Sequence, residues 1–284
     1  MHTTAFSIQA MCCYFGVSRS GYYSWLSSKP SERICKQQQR DEQIIKLYHN
    51  KKGRYGAPRI CQQLSKKHGV YCNVKTVAQS LRRMDLCAKA GRKFKATTNS
   101  KHSLPVAPNL LEQKFTTSKP NRVWVGDITY LHTNEGWLYL AVVIDLFSRK
   151  VVGWSMDKNM TATLIGDALE MALWKRKPEK GLIFHSDRGS QYCSKTYQSL
   201  LAKHSISSSM SAKGNCYDNA CAESFFHSMK VEAIHGEHFT TREQMKHNVF
   251  EYIEVDYNND RLHSSIDYLS PSDFEYQWQQ KLAS

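Results

Sequence analysis

The sequence predicts an α/β fold, a mixed five-stranded sheet with flanking helices, preceded by small all-α units. Three observations carry this. Up to Lys89 the apolar residues recur at helical spacing, whereas beyond Pro120 they gather into short, strand-length runs. Those runs and the helical stretches between them follow the order strand, strand, strand, helix, strand, helix, strand, helix. Charge divides in the same region: residues 1–118 carry 21 Lys plus Arg against 5 acids, a net of +16, and residues 119–284 carry 18 against 20, a net of −2.

Composition bounds the class. The 284 residues are 41% hydrophobic, which suits a packed core. No apolar run reaches the roughly 18 residues needed to cross a bilayer, and the start MHTTAFSIQAMCCYF lacks the basic-then-apolar pattern of a secretory signal, so no membrane association and a cytoplasmic location are expected. The nine cysteines are scattered, with no Cys-x-x-Cys pair and no zinc-finger spacing, and read as reduced thiols. The basic half is expected to meet a polyanion, with nucleic acid the favoured class and a merely solvated basic surface the alternative.

Residues 7–27 read as two short helices joined at Gly16, with Ile8, Met11, Cys12 and Phe15 apolar at helical spacing. Ser18 is placed to cap the second, which would present Arg19 and Ser20. This gives a helix-turn-helix segment over 1–35. A second helical unit, 36–95, follows the polar stretch SSKPSERICKQQQRD. Its helices are read at 41–50, from Pro58 to about His68 with Gly69 as terminator, and from an Asn73 cap through VKTVAQSLRRMDL. In the last helix Val74, Val77, Leu81 and Met84 are expected inward and Lys75, Gln79, Arg82 and Arg83 outward. That makes Arg19, Lys75, Arg82 and Arg83 candidate DNA contacts, since a helix-turn-helix presents its last helix to a groove. Residues 96–118 belong to a basic, Ser/Thr-rich stretch interrupted by prolines and read as a linker, either tracking a DNA backbone or simply flexible.

The domain from 119 to 284 begins with VWVGDITYL, then WLYLAVVIDLFS after the turn Asn134-Glu135-Gly136, then KVVGWSMD, as an antiparallel meander. A helix (TATLIGDALEMALWKR), a strand (GLIFHS), a helix (SKTYQSLLAKH), a strand (ISSSM) and a helix from about Asn219 follow. This order matches a ribonuclease-H-like sheet, in which the first and fourth strands are neighbours.

Asp127 lies in the first strand, Asp187 just past the fourth and Glu223 in the opening turn of the late helix. Taken alone, Asp127 could be a cap or turn residue, a reading weakened by the apolar Val125 and Ile128 beside it, Asp187 could be a turn acid and Glu223 a solvated helix residue. Together they form a hard-oxygen cluster suited to Mg²⁺ or Mn²⁺, and two such ions would fit an in-line displacement at phosphorus. Lys230, two helical turns beyond Glu223, faces the same way.

The Asp127-to-Asp187 interval is 60, with 35 residues between Asp187 and Glu223 and a Lys seven after the Glu. With HSDRGSQY, DNACAESFFHSMK and YNNDRLHSSIDYLSPSDF, this pattern resembles the DDE transposases of the insertion sequence 3 family, products of its second reading frame, within the retroviral-integrase superfamily. The GYYSWL and GRYGAPRI segments extend the resemblance over essentially the whole chain.

The resemblance implies that residues 119–284 are an integrase catalytic core with a helical tail, with Asp127, Asp187 and Glu223 as metal ligands and catalytic acids and Lys230 on DNA phosphate. Tyr217 and Asn219 would shape the loop into the late helix, with Asn219 as its cap. It implies metal-dependent cleavage at element ends followed by transfer of the freed 3′ hydroxyl, with DNA as partner and a homo-oligomer on DNA. An upstream-frame protein or a frameshift fusion is a further possible partner. The tail around Arg261 and His263 either positions DNA or only packs. Two rivals stay open: a hydrolytic ribonuclease-H-like nuclease, and a DNA-binding protein or decayed element copy with an inert core.

Overall fold

A computed structural model of the chain describes residues 6–89, 104–112, 116–212 and 219–283. The expectations for linker residues 96–103 and 113–115, for residues 90–95 of the second helical unit and for Tyr217 lie outside these. The chain forms two compact units, residues 1–88 and 89–284.

The first unit is all-helical. Helix α1 (Ile8–Tyr14) is capped by Ser7, and α2 (Arg19–Ser27) by Ser18, whose Oγ accepts from Gly21 N at 3.0 Å. Gly16 turns between them at φ +65°, a region that favours glycine. Cys12 alone of these two helices is buried among the described residues, and Phe15, expected inward, is 71% exposed. Two helices this short have too little facing surface to cover both apolar stripes.

Helix α3 (Glu32–Asn50) is much longer than the expected 41–50. Ser31 caps it, and the Arg, Lys and Gln residues of the first half are good helix formers without an apolar period to reveal them. Helix α4 (Ala57–His68) carries Pro58 in its first turn and ends at Gly69 in the left-handed region, φ +65°. Helix α5 (Val74–Arg83) starts at Asn73, whose Oδ1 accepts from Lys75 N at 2.9 Å. Ile44, Leu47, Ile60, Leu64, Val77 and Leu81 make the core of this bundle. Val74, expected inward, is 39% exposed at the first position of α5, one turn before the buried Val77.

The second unit holds a five-stranded sheet of order β3-β2-β1-β4-β5: β1 (Val123–Thr133), β2 (Gly136–Asp145), β3 (Val151–Asp157), β4 (Ile183–Ser186) and β5 (Ser207–Met210). The first three strands pair antiparallel, and β4 joins β1 in parallel with β5 parallel beyond it. This is the mixed sheet the element order predicts. Helices α6 (Ala162–Arg176) and α7 (Lys195–Lys203) cover one face, burying Leu164, Leu169, Tyr197 and Leu201 against Trp124 and Phe184. The other face packs under α8 (Ala220–Met229) and α9 (Arg242–Phe250) through Phe225, Met229, Met245 and Val249. Gly153 lets α6 seat on β3, since a Cβ there would stand 2.1 Å from the Ala168 carbonyl oxygen.

Residues 104–112 of the expected linker lie on the core. Pro108 O accepts from Met210 N, Ser209 Oγ accepts from Leu110 N at 2.9 Å, and Leu111 is buried. Three apolar residues, Leu104, Ala107 and Leu111, pull this stretch onto the sheet despite its prolines. The C-terminal helix α10 (Pro271–Ala283) is fixed by Glu275, which takes hydrogen bonds from Ser148 and two from Arg176; Arg176 also reaches the buried Asp145 at 3.2 Å.

Candidate active site

The parallel register of β1 and β4 builds the site. Gly126 pairs with Ser186, so Asp127 and Asp187 are the next residues on adjacent strands. Each carboxylate is steadied by a local backbone N–H: Asp127 Oδ1 accepts from Ile128 N at 2.8 Å and Asp187 Oδ1 from Gly189 N at 2.9 Å. Gly126 leaves room for what lies behind the strand. A Cβ on it would meet the Phe184 ring at 2.4 Å and the Tyr192 hydroxyl at 3.3 Å.

Glu223 comes from α8, which packs on the face of the sheet that Asp127 shares with Val125 and Leu131. Helix α8 buries Ala222, Phe225, Phe226 and Met229 against it, and that seam leaves Glu223 on the open side of the helix. Asn219 immediately precedes α8 but does not cap it: its φ, ψ of −111°, 20° is not the extended geometry of a side-chain cap, and its buried Oδ1 finds no partner among the described residues.

The electrostatics tie the three acids together. Burial first, then Asp187 and Glu223, push the Asp127 carboxyl well above its ordinary range, against the pull of the Ile128 N–H and Lys230. Glu223 is raised by burial and by Asp187. Lys230 begins a π-helical turn, Lys230–Ile234, that continues α8; burial lowers its pKa while Asp127 opposes the shift. Its ammonium lies 4.9 Å over the Tyr130 ring.

Asp127, Asp187, Glu223 and Lys230 thus fall within one electrostatic neighbourhood, while Arg19, Lys75, Arg82 and Arg83 belong to the helical unit, all four exposed. Arg83 is not committed to the outside alone: its Nη2 stands 2.6 Å from Asp41 Oδ2. A crowd of partly buried carboxylates raising one another's pKa is a donor set short of positive charge, and its hard oxygens fit Mg²⁺ or Mn²⁺. Among the described residues no three His, Cys, Asp or Glu side chains close into a metal cage.

Sequence reasoning missed Tyr192. Its ring is buried against Phe184 and Tyr197, and burial, then Asp127, Tyr197 and Asp187, raise its phenol well above the ordinary value. Its place in HSDRGSQY, five residues after Asp187, was the available signal. The tail residue Arg261 turns inward, 6% exposed, onto Glu232, which favours the packing reading of that segment.

Two family models described as Integrase core domain match residues 117–216 and 223–278, and one described as HTH-like domain matches 36–94. The chain is similar to the transposase InsF for insertion sequence IS3A of Escherichia coli K12, 56% identical over 276 residues, 96% of each chain. It is also similar to the uncharacterized 31 kDa protein of insertion element IS600 of Shigella sonnei, 44% identical over 96% of this chain and 100% of that protein. Among solved structures, the HTLV-2 integrase catalytic core domain in complex with magnesium matches 56% of this chain and 98% of its own, at a TM-score of 0.42 and 16% identity.

Proposed function

The chain belongs to the insertion sequence 3 family of transposases, DDE-type polynucleotidyl transferases with an integrase core, and on that premise we propose that Asp127, Asp187 and Glu223 are its catalytic acids. What supports the assignment is the Gly126–Ser186 register, which makes Asp127 and Asp187 lateral neighbours, with Glu223 electrostatically coupled to both.

The three carboxylates would hold two divalent ions, Mg²⁺ or Mn²⁺. When bound, such ions supply Lewis acidity to the attacking and departing oxygens of a phosphodiester. The chain's own part is positional. Asp127 and Asp187, each fixed by a backbone N–H, set the floor of the site, and Glu223 is coupled electrostatically to both. Lys230, in reach of Asp127, is placed to contact a phosphate oxygen of the reacting strand. Water attack frees a 3′ hydroxyl at the element end, and that hydroxyl then attacks a second phosphodiester. Each step exchanges one phosphorus–oxygen bond for another, so no nucleotide cofactor is required.

The helical unit chooses the DNA, through Arg19, Lys75, Arg82 and, in part, Arg83. Joining needs two ends held together, so the working form on DNA is a homo-oligomer in the bacterial cytoplasm, with an upstream-frame protein or a frameshift fusion as a further partner.

The test is to incubate the protein with element-end DNA and Mg²⁺ or Mn²⁺ and look for joined products. Joining supports the reading. Cleavage without joining would make the chain a hydrolytic nuclease, and binding alone an inert copy.

A further inference from the structure

One face of the β1–β2 hairpin carries a row of rings that the proposed chemistry does not use. His132 pairs with Trp137 and Tyr130 with Tyr139 across the strands, so all four side chains share a face. Trp137 stands edge-to-face with both Tyr130, centroids 5.2 Å apart, and His132, at 5.1 Å. Both keep exposed surface, Trp137 46% and Tyr130 40%.

Two further features mark this row as built rather than incidental. The hairpin is clamped: Arg242 donates from Nε to the Trp137 carbonyl at 3.0 Å and from Nη2 to the Glu135 carbonyl at 2.6 Å, and Asn134 N donates to Phe239 O at 3.1 Å. An exposed tryptophan is thereby held on a rigid element, which lowers the entropy cost of binding anything to it. The row also lies on the strand that carries the first acid. Tyr130 follows Asp127 by three residues, roughly 10 Å along an extended strand and on the alternate face of the pleat. The ammonium of Lys230, which feels the charge of Asp127, sits over the Tyr130 ring.

We propose that Trp137 and Tyr130 form a stacking platform for unpaired bases of the DNA strand whose phosphate lies at the acids. Exposed aromatic surface led by Trp137, with a cation on the neighbouring Tyr130 ring and a phosphoryl-transfer centre on the same strand, matches the chemistry of single-stranded nucleic acid, whose bases stack and whose backbone is anionic. The proposal rests on the reading of Asp127, Asp187 and Glu223 as that centre. It adds that the end is held with bases out of the duplex.

The experiment uses an element-end duplex with an unpaired 3′ dinucleotide carrying 2-aminopurine, titrated with the full chain in the absence of divalent ion. The wild type is expected to quench the probe and to prefer this end over a fully paired one. Trp137→Leu, which keeps apolar bulk but no π-face, is expected to lose the quenching and about tenfold of that preference, while Trp137→Phe retains most of both. Equal quenching and preference in Trp137→Leu would overturn the platform. So would an equal loss on paired and unpaired ends, or a change in oligomeric state that marks Trp137 as a protein contact. Metal-dependent cleavage by the wild type is run in parallel. Its failure refutes the catalytic reading, whereas the metal-free fluorescence judges the platform alone.

Discussion

Arg261 grips both carboxylate oxygens of Glu232, with Nε 3.0 and 2.8 Å from them and Nη2 2.7 Å from Oε1, while Nη2 also reaches Ser228 Oγ at 2.9 Å. Tyr252 completes the shell, its hydroxyl donating to Glu232 at 3.0 Å. Glu232 lies in the π-helical turn that begins at Lys230, so a residue of the tail fixes the element that carries the candidate phosphate contact. Both partners are nearly fully buried, and removing one leaves the other charged and unpaired. Arg261→Met is therefore expected to cost about 3–5 kcal/mol in urea unfolding. The double variant with Glu232→Leu should recover most of that loss; strict additivity of the two would show that the pair is not coupled.

Gly126 is the second point where packing governs the site. With the Phe184 ring 2.4 Å from where a Cβ would stand, Gly126→Ala must push Phe184 or the strand aside. The expected cost is about 1–3 kcal/mol, as for other overpacked core positions. Because Asp127 is the next residue, end cleavage should fall by more than the stability change accounts for. Denaturant midpoints compared with cleavage rates check this, and full activity in the variant would show that Asp127 tolerates the shift.

In the helical unit the structure separates two arginines that the sequence treats alike. Arg82 is exposed, while Arg83 is ion-paired to Asp41. Arg82→Gln is expected to reduce the slope of log affinity against log salt for end DNA by about 1, the signature of one lost phosphate contact. Arg83→Gln should change that slope less. Filter binding across a salt series decides, and an unchanged slope in Arg82→Gln moves the DNA surface elsewhere.

Acid sensitivity follows from the network under α10. Burial raises the Glu275 carboxyl, but hydrogen bonds from Arg176 and Ser148 and the charges of Arg176 and Lys150 outweigh it and hold it below its ordinary value. A depressed carboxylate contributes stability that is present above its unfolded pKa and lost as pH falls through the folded one. Asp145 moves the other way, raised by burial despite N–H bonds from Asn121 and Phe147, and takes its proton at higher pH. Stability of the core unit should therefore decline as pH drops below the usual glutamate value of about 4. Glu275→Gln should flatten that decline in guanidinium midpoints measured against pH; an unchanged decline would assign the acid sensitivity to other groups.

The sheet was legible because its strands are apolar runs of the right length in an order with few solutions, and Asp127 and Asp187 interrupt or end such runs. Glu223 and Lys230 were legible by spacing on one helix. What escaped has physical causes. The first half of α3 is polar, so no period announces it. Residues 104–112 are held by a few contacts to β5 that only the folded sheet supplies. Asn219 has the chemistry of a cap but not the backbone geometry, Tyr192 acquires its meaning from Asp127 on a strand distant in sequence, and Trp137 from the register of its own hairpin.

In the proposed reading, Asp127, Asp187 and Glu223 act as one metal-dependent centre for cleaving and joining DNA. The most direct measurement is Asp127→Asn assayed with element-end DNA and Mn²⁺, scoring end binding, cleavage and joining in the same reaction. The variant is expected to bind ends as the wild type does and to yield neither cleaved nor joined product. Joined product from Asp127→Asn at the wild-type rate would contradict the account.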